Sequence, residues 1–396
     1  MQKQGKLELT WVGKYEKKKI EPRILVEDKS KSYGDPNNEN MLIHGDNLIA
    51  LQALQQDFAG KVKCVYIDPP YNTGSAFEHY DDGTEHSMWL SFMKQRLELL
   101  RNLLTEYGRI YINIDFNECH YLKVLMDEVF GRACFQREII WRIGWLSGFK
   151  TAANNYIRNH DTILYYTKNP DGFYFDKEKA YNTPKDFQER FNDATKKEII
   201  KKLIDLGVSK NEANEFFEYV ATVGLPKRYP LEDTWNSSIY DKLNSIAVVS
   251  FSGEKVSKML GSKEFKGQKA EALIKRILSI STKPGDLVLD SFLGTGTTSA
   301  VAQKMNRRWI GIEIGNQAYE LAKPRLDKVI DGTDLSGITK AVGWQGGGGY
   351  HFYELAPINV LKPRRPSSKQ RERTNECVNS GHEDADKLPT LPMCGR

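Results

Sequence analysis

The chain has 396 residues, 28% of them charged and 40% hydrophobic, and a formal net charge of +5 at pH 7, enough length for one large core with insertions or two domains. Its five cysteines, Cys64, Cys119, Cys134, Cys377 and Cys394, form no CxxC pair and no His/Cys cluster, which argues against a zinc site or a disulfide framework and suits the cytoplasm. No signal peptide or long apolar run appears, so no membrane association is expected, and so small a net charge does not by itself point to nucleic acid.

Residues 1–40 are polar and mixed in charge, and read as a loosely structured arm. A helix starts after Asp46, its N-cap, with Leu48, Leu51 and Leu54 on one side. A strand over 62–67 runs into Asp68-Pro69-Pro70-Tyr71. Ser87 opens a helix whose Trp89, Phe92, Met93, Leu97, Leu100 and Leu104 recur at helical spacing, with Gly108 as its stop. Strand 109–114, a helix near 118–130, and strands 138–142 and 160–166 follow. This alternation predicts an α/β fold with a mostly parallel sheet.

Residues 171–265 break the rhythm. They are polar, aromatic and lysine-rich, with a helical patch at 186–219 and turns at 224–230 and 233–238. A local basic excess over 254–276 includes Lys258 and Lys263. The alternation resumes with strand 287–289, a glycine loop, a helix from Thr297-Thr298 and strand 309–312. From Leu361 the chain is basic or unpatterned and reads as a disordered tail. The divisions are thus 1–40, 41–170, 171–265, 266–356 and 357–396.

Two segments carry chemistry. Consecutive prolines cannot continue a ladder or a helix, so Asp68-Pro69-Pro70-Tyr71 fixes a carboxylate, a rigid bend and an aromatic ring at a strand end. In a parallel sheet that is where ligands bind, although a plain Pro-Pro turn would look the same. In Asp290-Ser291-Phe292-Leu293-Gly294-Thr295-Gly296, the glycines let a ligand approach a helix N-terminus, which favours a carboxylate. The next strand ends in Glu313, suited to ribose hydroxyls. Ser299 breaks the GxGxxG form, and no Gly-Lys-Ser/Thr follows, which excludes a P-loop. A nicotinamide, flavin or S-adenosylmethionine site remains open. The Asp-Pro-Pro-Tyr segment favours the last.

Together these segments resemble the β-group DNA amino-methyltransferases, in which the catalytic motif precedes the glycine loop. DPPYNTG (68–74) and GWQGGGGYHFYEL (343–355) are most similar to the modification subunits of type III restriction systems. HGDNLIALQAL (44–54) resembles the family's N-terminal motif. GQKAEALIKRIL (267–278) resembles the helix lining its cofactor pocket, with Lys269-Ala270 where the family has Lys-Pro. The resemblance implies a Rossmann-like methyltransferase fold of circularly permuted motif order, with 171–265 as an inserted target-recognition region between a catalytic half (41–170) and a cofactor half (266–356). It implies methyl transfer from S-adenosylmethionine to the N6 amino group of adenine in double-stranded DNA, after base flipping. It also implies a restriction endonuclease subunit as partner, and a homodimer.

The same resemblance assigns residues. Asp68 and the Pro69 carbonyl accept the amino hydrogens, Pro70 stiffens the bend, and Tyr71 stacks on the base. Main-chain N–H groups of Leu293, Gly294, Thr295 and Gly296 face the cofactor's methionine portion, Glu313 takes the ribose, and Asp290 and Phe292 line the mouth. Asp46 and Asn47 lie near the cofactor's adenine, or simply cap a helix. Lys227, Arg228 and Trp235 are expected to choose sequence, and Lys258 and Lys263 to hold phosphates. No metal is expected, and none of the seven histidines is given a catalytic role. Related N4-cytosine enzymes more often carry Ser in place of Asp68, so cytosine is the alternative base. A non-catalytic recognition subunit is opposed by the intact Asp68, Tyr71, Gly294, Gly296 and Glu313. RNA-directed relatives usually place the glycine loop first.

Overall fold

The computed structural model describes residues 8–16, 22–72, 85–142, 155, 156, 158–182, 193–224, 227–236, 260 and 268–357. The chain divides into two units, residues 1–356 and 357–396. The expected tail from 358 onward, and with it Lys258 and Lys263, lies outside the described residues.

The first part of the chain forms β1 (Arg23–Glu27), β2 (Tyr33–Gly34), β3 (Met41–His44), α1 (Asn47–Phe58), β4 (Val62–Ile67), α2 (His86–Leu103), β5 (Leu104–Ile114), α3 (Cys119–Phe130), β6 (Phe135–Arg142) and β7 (His160–Thr167). Then come β8 (Tyr181–Asn182), α4 (Asp193–Asp205), α5 (Lys210–Thr222), β9 (Tyr229–Pro230) and β10 (Thr234–Asn236). The last part holds α6 (Glu271–Ser281), β11 (Leu287–Asp290), α7 (Thr297–Lys304), β12 (Arg308–Glu313), α8 (Lys323–Ile330) and β13 (Gly349–Pro357).

One eleven-stranded sheet runs in the order β1-β13-β3-β12-β11-β4-β5-β7-β6-β10, with β2 on β13. The pairs from β13 through β3, β12, β11 and β4 to β5 are parallel. β7 runs antiparallel between β5 and β6. This is the mostly parallel, Rossmann-like sheet expected, with the Asp68 strand earlier in the chain than the glycine-loop strand. Helices cover both faces because the strands are apolar on both: Ile43, Val65, Ile67 and Leu289 face one core, and Leu42, Cys64, Tyr66 and Val288 the other.

Local chemistry explains the helices. The Asp46 carboxylate accepts the Leu48 amide at 2.7 Å and starts α1. In α2, Trp89, Met93, Leu97, Leu100 and Leu103 share the buried face, each side chain contributing about 1.5–3 kcal/mol through burial. Gly108 is not the stop of this helix. Leu104 already leaves it at φ −63°, ψ 140°, because it pairs with Val62 of β4. Gly108 instead lies within β5, where an added Cβ would meet the Val62 carbonyl at 3.0 Å.

Residues 8–16 of the N-terminal arm are more ordered than their polarity implies. The Lys14 ammonium is buried between Glu128 at 2.7 Å and Glu8 at 2.8 Å, and Trp11 Nε1 donates to Ser91 Oγ at 2.7 Å. Periodicity could not show this, since the partners lie far along the chain. In the inserted segment, α4 and α5 are separate helices, and a Ser209–Glu212 capping box opens the second. β10 joins the main sheet, pairing parallel with β6. Trp235 is consequently buried, its Nε1 donating to the Glu232 carbonyl at 2.8 Å and the Arg276 guanidinium 5.5 Å from its ring. A base-contacting tryptophan has to be exposed, so that expectation is corrected: Trp235 belongs to the core.

The helices behind the glycine loop meet at a buried charge cluster. Lys304 Nζ binds both Glu271 oxygens at 2.9 Å and Asp334 at 2.8 Å, while Arg325 binds Glu271 at 2.7 Å and Thr297 Oγ1 at 2.8 Å. All four ionic side chains are fully buried, and two cations balance two anions. Removing one partner strands a charge in low dielectric. Lys304→Met should therefore lower stability by about 3–5 kcal/mol. Urea unfolding checks this, and a loss under about 1 kcal/mol would mean that the cluster relaxes without the lysine.

Candidate active site

Strand register brings the two motifs together. Leu289 of β11 lies level with Val65 of β4, and Asp290 level with Gly311 of β12. Asp68, Asp290 and Glu313 thus emerge at the carboxyl ends of three neighbouring parallel strands. β7 runs the other way, so its beginning, not its end, reaches this rim and delivers Asp161.

Asp68 is held on both oxygens. Oδ1 accepts from the Tyr71 hydroxyl at 2.8 Å and from Asn113 Nδ2 at 3.3 Å. Oδ2 faces Lys269 Nζ at 2.5 Å. The Tyr71 hydroxyl also reaches Asp161 at 3.2 Å and contacts Asn113 Nδ2. Burial pushes the Tyr71 phenol well above its ordinary pKa, so it stays protonated and donates. Burial also raises Asp161, against the opposing pull of Lys269 and Arg158; Arg158 pairs with it directly. The Pro70 carbonyl accepts from Trp89 Nε1 at 2.9 Å, which anchors the bend to α2. Asn72 follows at φ 59° and donates to Glu118 at 2.6 Å. Glu118 also pairs with His86 at 2.7 Å, and burial raises its pKa.

The glycine loop is fixed by its own amides. Leu293 N donates to the Ile312 carbonyl at 3.0 Å, Gly294 N to Glu313 Oε2 at 2.7 Å, and Gly296 N to the Leu293 carbonyl at 3.0 Å. These three amides therefore build the loop and do not face a ligand, which corrects the sequence expectation. Gly296 caps α7 at φ +80°, and an added Cβ would lie 3.3 Å from Ala322. A Cβ on Gly311 would come within 2.6 Å of Leu293 and 2.8 Å of Ser299, so that glycine lets the loop lie on β12. Thr295 is buried in the loop, and Phe292 packs 6.1 Å from Phe92.

Glu313 accepts the Gly294 amide on one oxygen and the Gly315 amide, at 2.9 Å, on the other. Asp290 accepts the Phe292 amide at 2.9 Å and the Thr298 hydroxyl at 2.6 Å. Ser291 Oγ is buried without a partner among the described residues. Asp46 and Asn47 are committed within the protein. Asp46 caps α1, and Asn47 ties the Ser291 carbonyl, at 2.7 Å, to Arg96, at 2.6 Å. Lys227 and Arg228 are exposed, and Arg228 lies 3.5 Å from Glu178 and over Tyr181. Sequence reasoning did not single out Asn113, Asp161 or a catalytic-side role for Lys269. The only local hint was the Asn113 and Asp161 placement beside strand ends.

Comparison with known proteins fits this arrangement. A family described as DNA methylase matches residues 62–324, and the chain belongs to it. The probable type III restriction-modification enzyme HindVI Mod subunit of Haemophilus influenzae is 33% identical over 94% of this chain and 60% of its own length. The StyLTI Mod subunit of Salmonella typhimurium is 27% identical over 72% of this chain and 52% of its own. The type II methyltransferase M.EcaI of Enterobacter cloacae is 31% identical over 69% and 66%. The chain thus spans only half to three fifths of the length of those Mod subunits.

Burial, with Asp68 and Glu313 nearby, raises the Asp290 carboxyl from 3.8 to about 7. Folded protein therefore holds this proton more tightly than unfolded chain. The stability that it lends is complete below about pH 4 and is lost as pH rises to about 7. Asp290→Asn should remove this slope, so the variant's stability relative to wild type should rise between pH 4.5 and 7.5 by about 3 kcal/mol. Urea unfolding at the two pH values tests it; a constant difference would show that Asp290 is ionised throughout.

Proposed function

We propose that this chain is a site-specific DNA methyltransferase that uses S-adenosylmethionine to methylate the N6 amino group of adenine in duplex DNA. The observation that carries the reading is the Asp68 carboxylate, held at a strand end in register with the glycine loop. Membership of the DNA methylase family supports it.

The residues present fit S-adenosylmethionine. Glu313 is a carboxylate at the end of the neighbouring strand, a group suited to ribose hydroxyls, Ser291 offers a buried hydroxyl, and Asp290, Phe292 and Thr295 wall the loop. The bound cofactor supplies an electrophilic methyl group. What remains is to prepare the amine, whose lone pair is delocalised into the purine. Asp68 and the Pro69 carbonyl each accept one amino hydrogen, which draws the nitrogen toward tetrahedral geometry and frees its lone pair. Asp68 also stabilises the positive charge that develops on nitrogen, and the proton leaves afterwards. Tyr71, its hydroxyl fixed by Asp68 and Asp161, offers its ring to the base, a contact worth roughly 1–3 kcal/mol. The amine lies inside the duplex, so the base is first flipped out.

The inserted segment 171–265 is read as the target-recognition region, with Lys227 and Arg228 on its surface. A restriction endonuclease subunit is the proposed partner, by similarity to the Mod subunits. A homodimer and a cytoplasmic location complete the reading. Among the described residues no helix is long and apolar enough to cross a membrane.

Two measurements test the reading. Mass spectrometry of DNA from cells expressing the chain should show N6-methyladenine at one sequence; N4-methylcytosine would reassign the base, and no modified base would defeat the enzyme. Asp68→Ala should lower the transfer rate by about 10²–10³ while calorimetry shows cofactor binding unchanged. A variant that keeps more than about a tenth of the rate would remove Asp68 from the chemistry.

A further inference from the structure

Lys269 enters the site from the cofactor side. It lies two residues before α6 begins at Glu271. Its carbonyl accepts Thr297 Oγ1 at 3.3 Å, which fixes its backbone against the first turn of α7. Its side chain crosses to β4, where Nζ lies 2.5 Å from Asp68 Oδ2 and 5.2 Å from the centre of the Tyr71 ring. Both side chains are largely buried, at 12% and 21% exposure. The ammonium thus meets the two groups assigned to receive the amine and the base.

We propose that the Lys269 ammonium is a built-in stand-in for the target amine, which holds Asp68 Oδ2 until an incoming adenine displaces it. The inference rests on the reading of Asp68 as acceptor of the target amine. A methylated exocyclic amine, before it loses its proton, is a tetrahedral cationic nitrogen carrying N–H groups. A lysine ammonium has the same charge and tetrahedral geometry and likewise donates through N–H. Leaving one oxygen of a largely buried carboxylate without its cationic donor is costly. With Lys269 in place, base entry exchanges one N–H donor for another and never strands the charge. A base with a carbonyl at that position brings an acceptor, which cannot replace the ammonium. An ammonium that stayed would also repel the positive charge developing on the amine, so displacement precedes transfer.

The test uses the full chain with S-adenosylhomocysteine, and duplexes carrying the methylated sequence with either adenine or purine, which lacks the amino group, at the target position. Dissociation constants come from fluorescence anisotropy. In wild type the gain from the amine is offset by loss of the lysine contact, so adenine is only modestly preferred over purine. Lys269→Met removes the competitor, and the adenine-to-purine preference should widen about tenfold. Lys269→Gln should fall between, and it carries the test if the Met variant does not fold. Taking the ratio cancels the general loss of a positive charge toward phosphates. In an Asp68→Ala background neither lysine variant should change the ratio. An unchanged or narrowed ratio in both lysine variants overturns the stand-in while leaving the role of Asp68 intact. A wild-type preference that survives Asp68→Ala shows instead that Asp68 does not receive the amine.

Discussion

Everything at the rim depends on how β11 meets β4. Only two residue pairs, Val288 with Cys64 and Leu289 with Val65, define that parallel register. The strands come from distant parts of the chain, and nothing local fixes their alignment. What fixes it is burial on both faces: Val65 and Leu289 go to one core, Cys64 and Val288 to the other. A slip of one residue would exchange these sets and carry Asp290 away from Asp68. The site is thus positioned by packing, and the glycine loop only shapes what packing has placed.

Charge at the rim is managed in pairs. Asp68 has Lys269 and Asp161 has Arg158. Among the described residues Asp290 has no cation as a hydrogen-bond partner, and it is instead raised toward neutrality, with an amide and a hydroxyl as donors. Glu313 is satisfied by two amides. Several carboxyl groups can therefore share a small region without mutual repulsion opening it. Behind the loop, the Lys304 and Arg325 cluster applies the same rule where water is absent.

The sequence showed what is local. Asp68-Pro69-Pro70-Tyr71 and the glycine loop were readable because prolines and glycines restrict the backbone wherever they stand. Asp46 was readable as a cap because its carboxylate acts on amides only two and three residues further on. Asn113, Asp161 and Lys269 were not, since each reaches Asp68 only through sheet order or through the crossing from α6. Trp235 was misplaced because its neighbours are polar, while its burial comes from pairing with β6. The loop amides were misassigned because a glycine loop can serve either a ligand or itself, and only the Glu313 and Ile312 acceptors reveal which. Lys14 shows the limit of composition: a lysine in a polar arm became one of the better buried cations.

The pairing of β10 with β6 has a consequence for exchange between relatives. A segment that contributes a strand to the main sheet is not a detachable module. Its β10 is stitched to β6, the strand beside β7, and β7 carries Asp161. Recombination that keeps the sheet intact must cut between β9 and β10, so that the helical pair and its loops travel while Trp235 stays with its host. The boundary that matters for swapping the inserted segment is therefore set by the ladder, about thirty residues inside the one at 265 that composition draws.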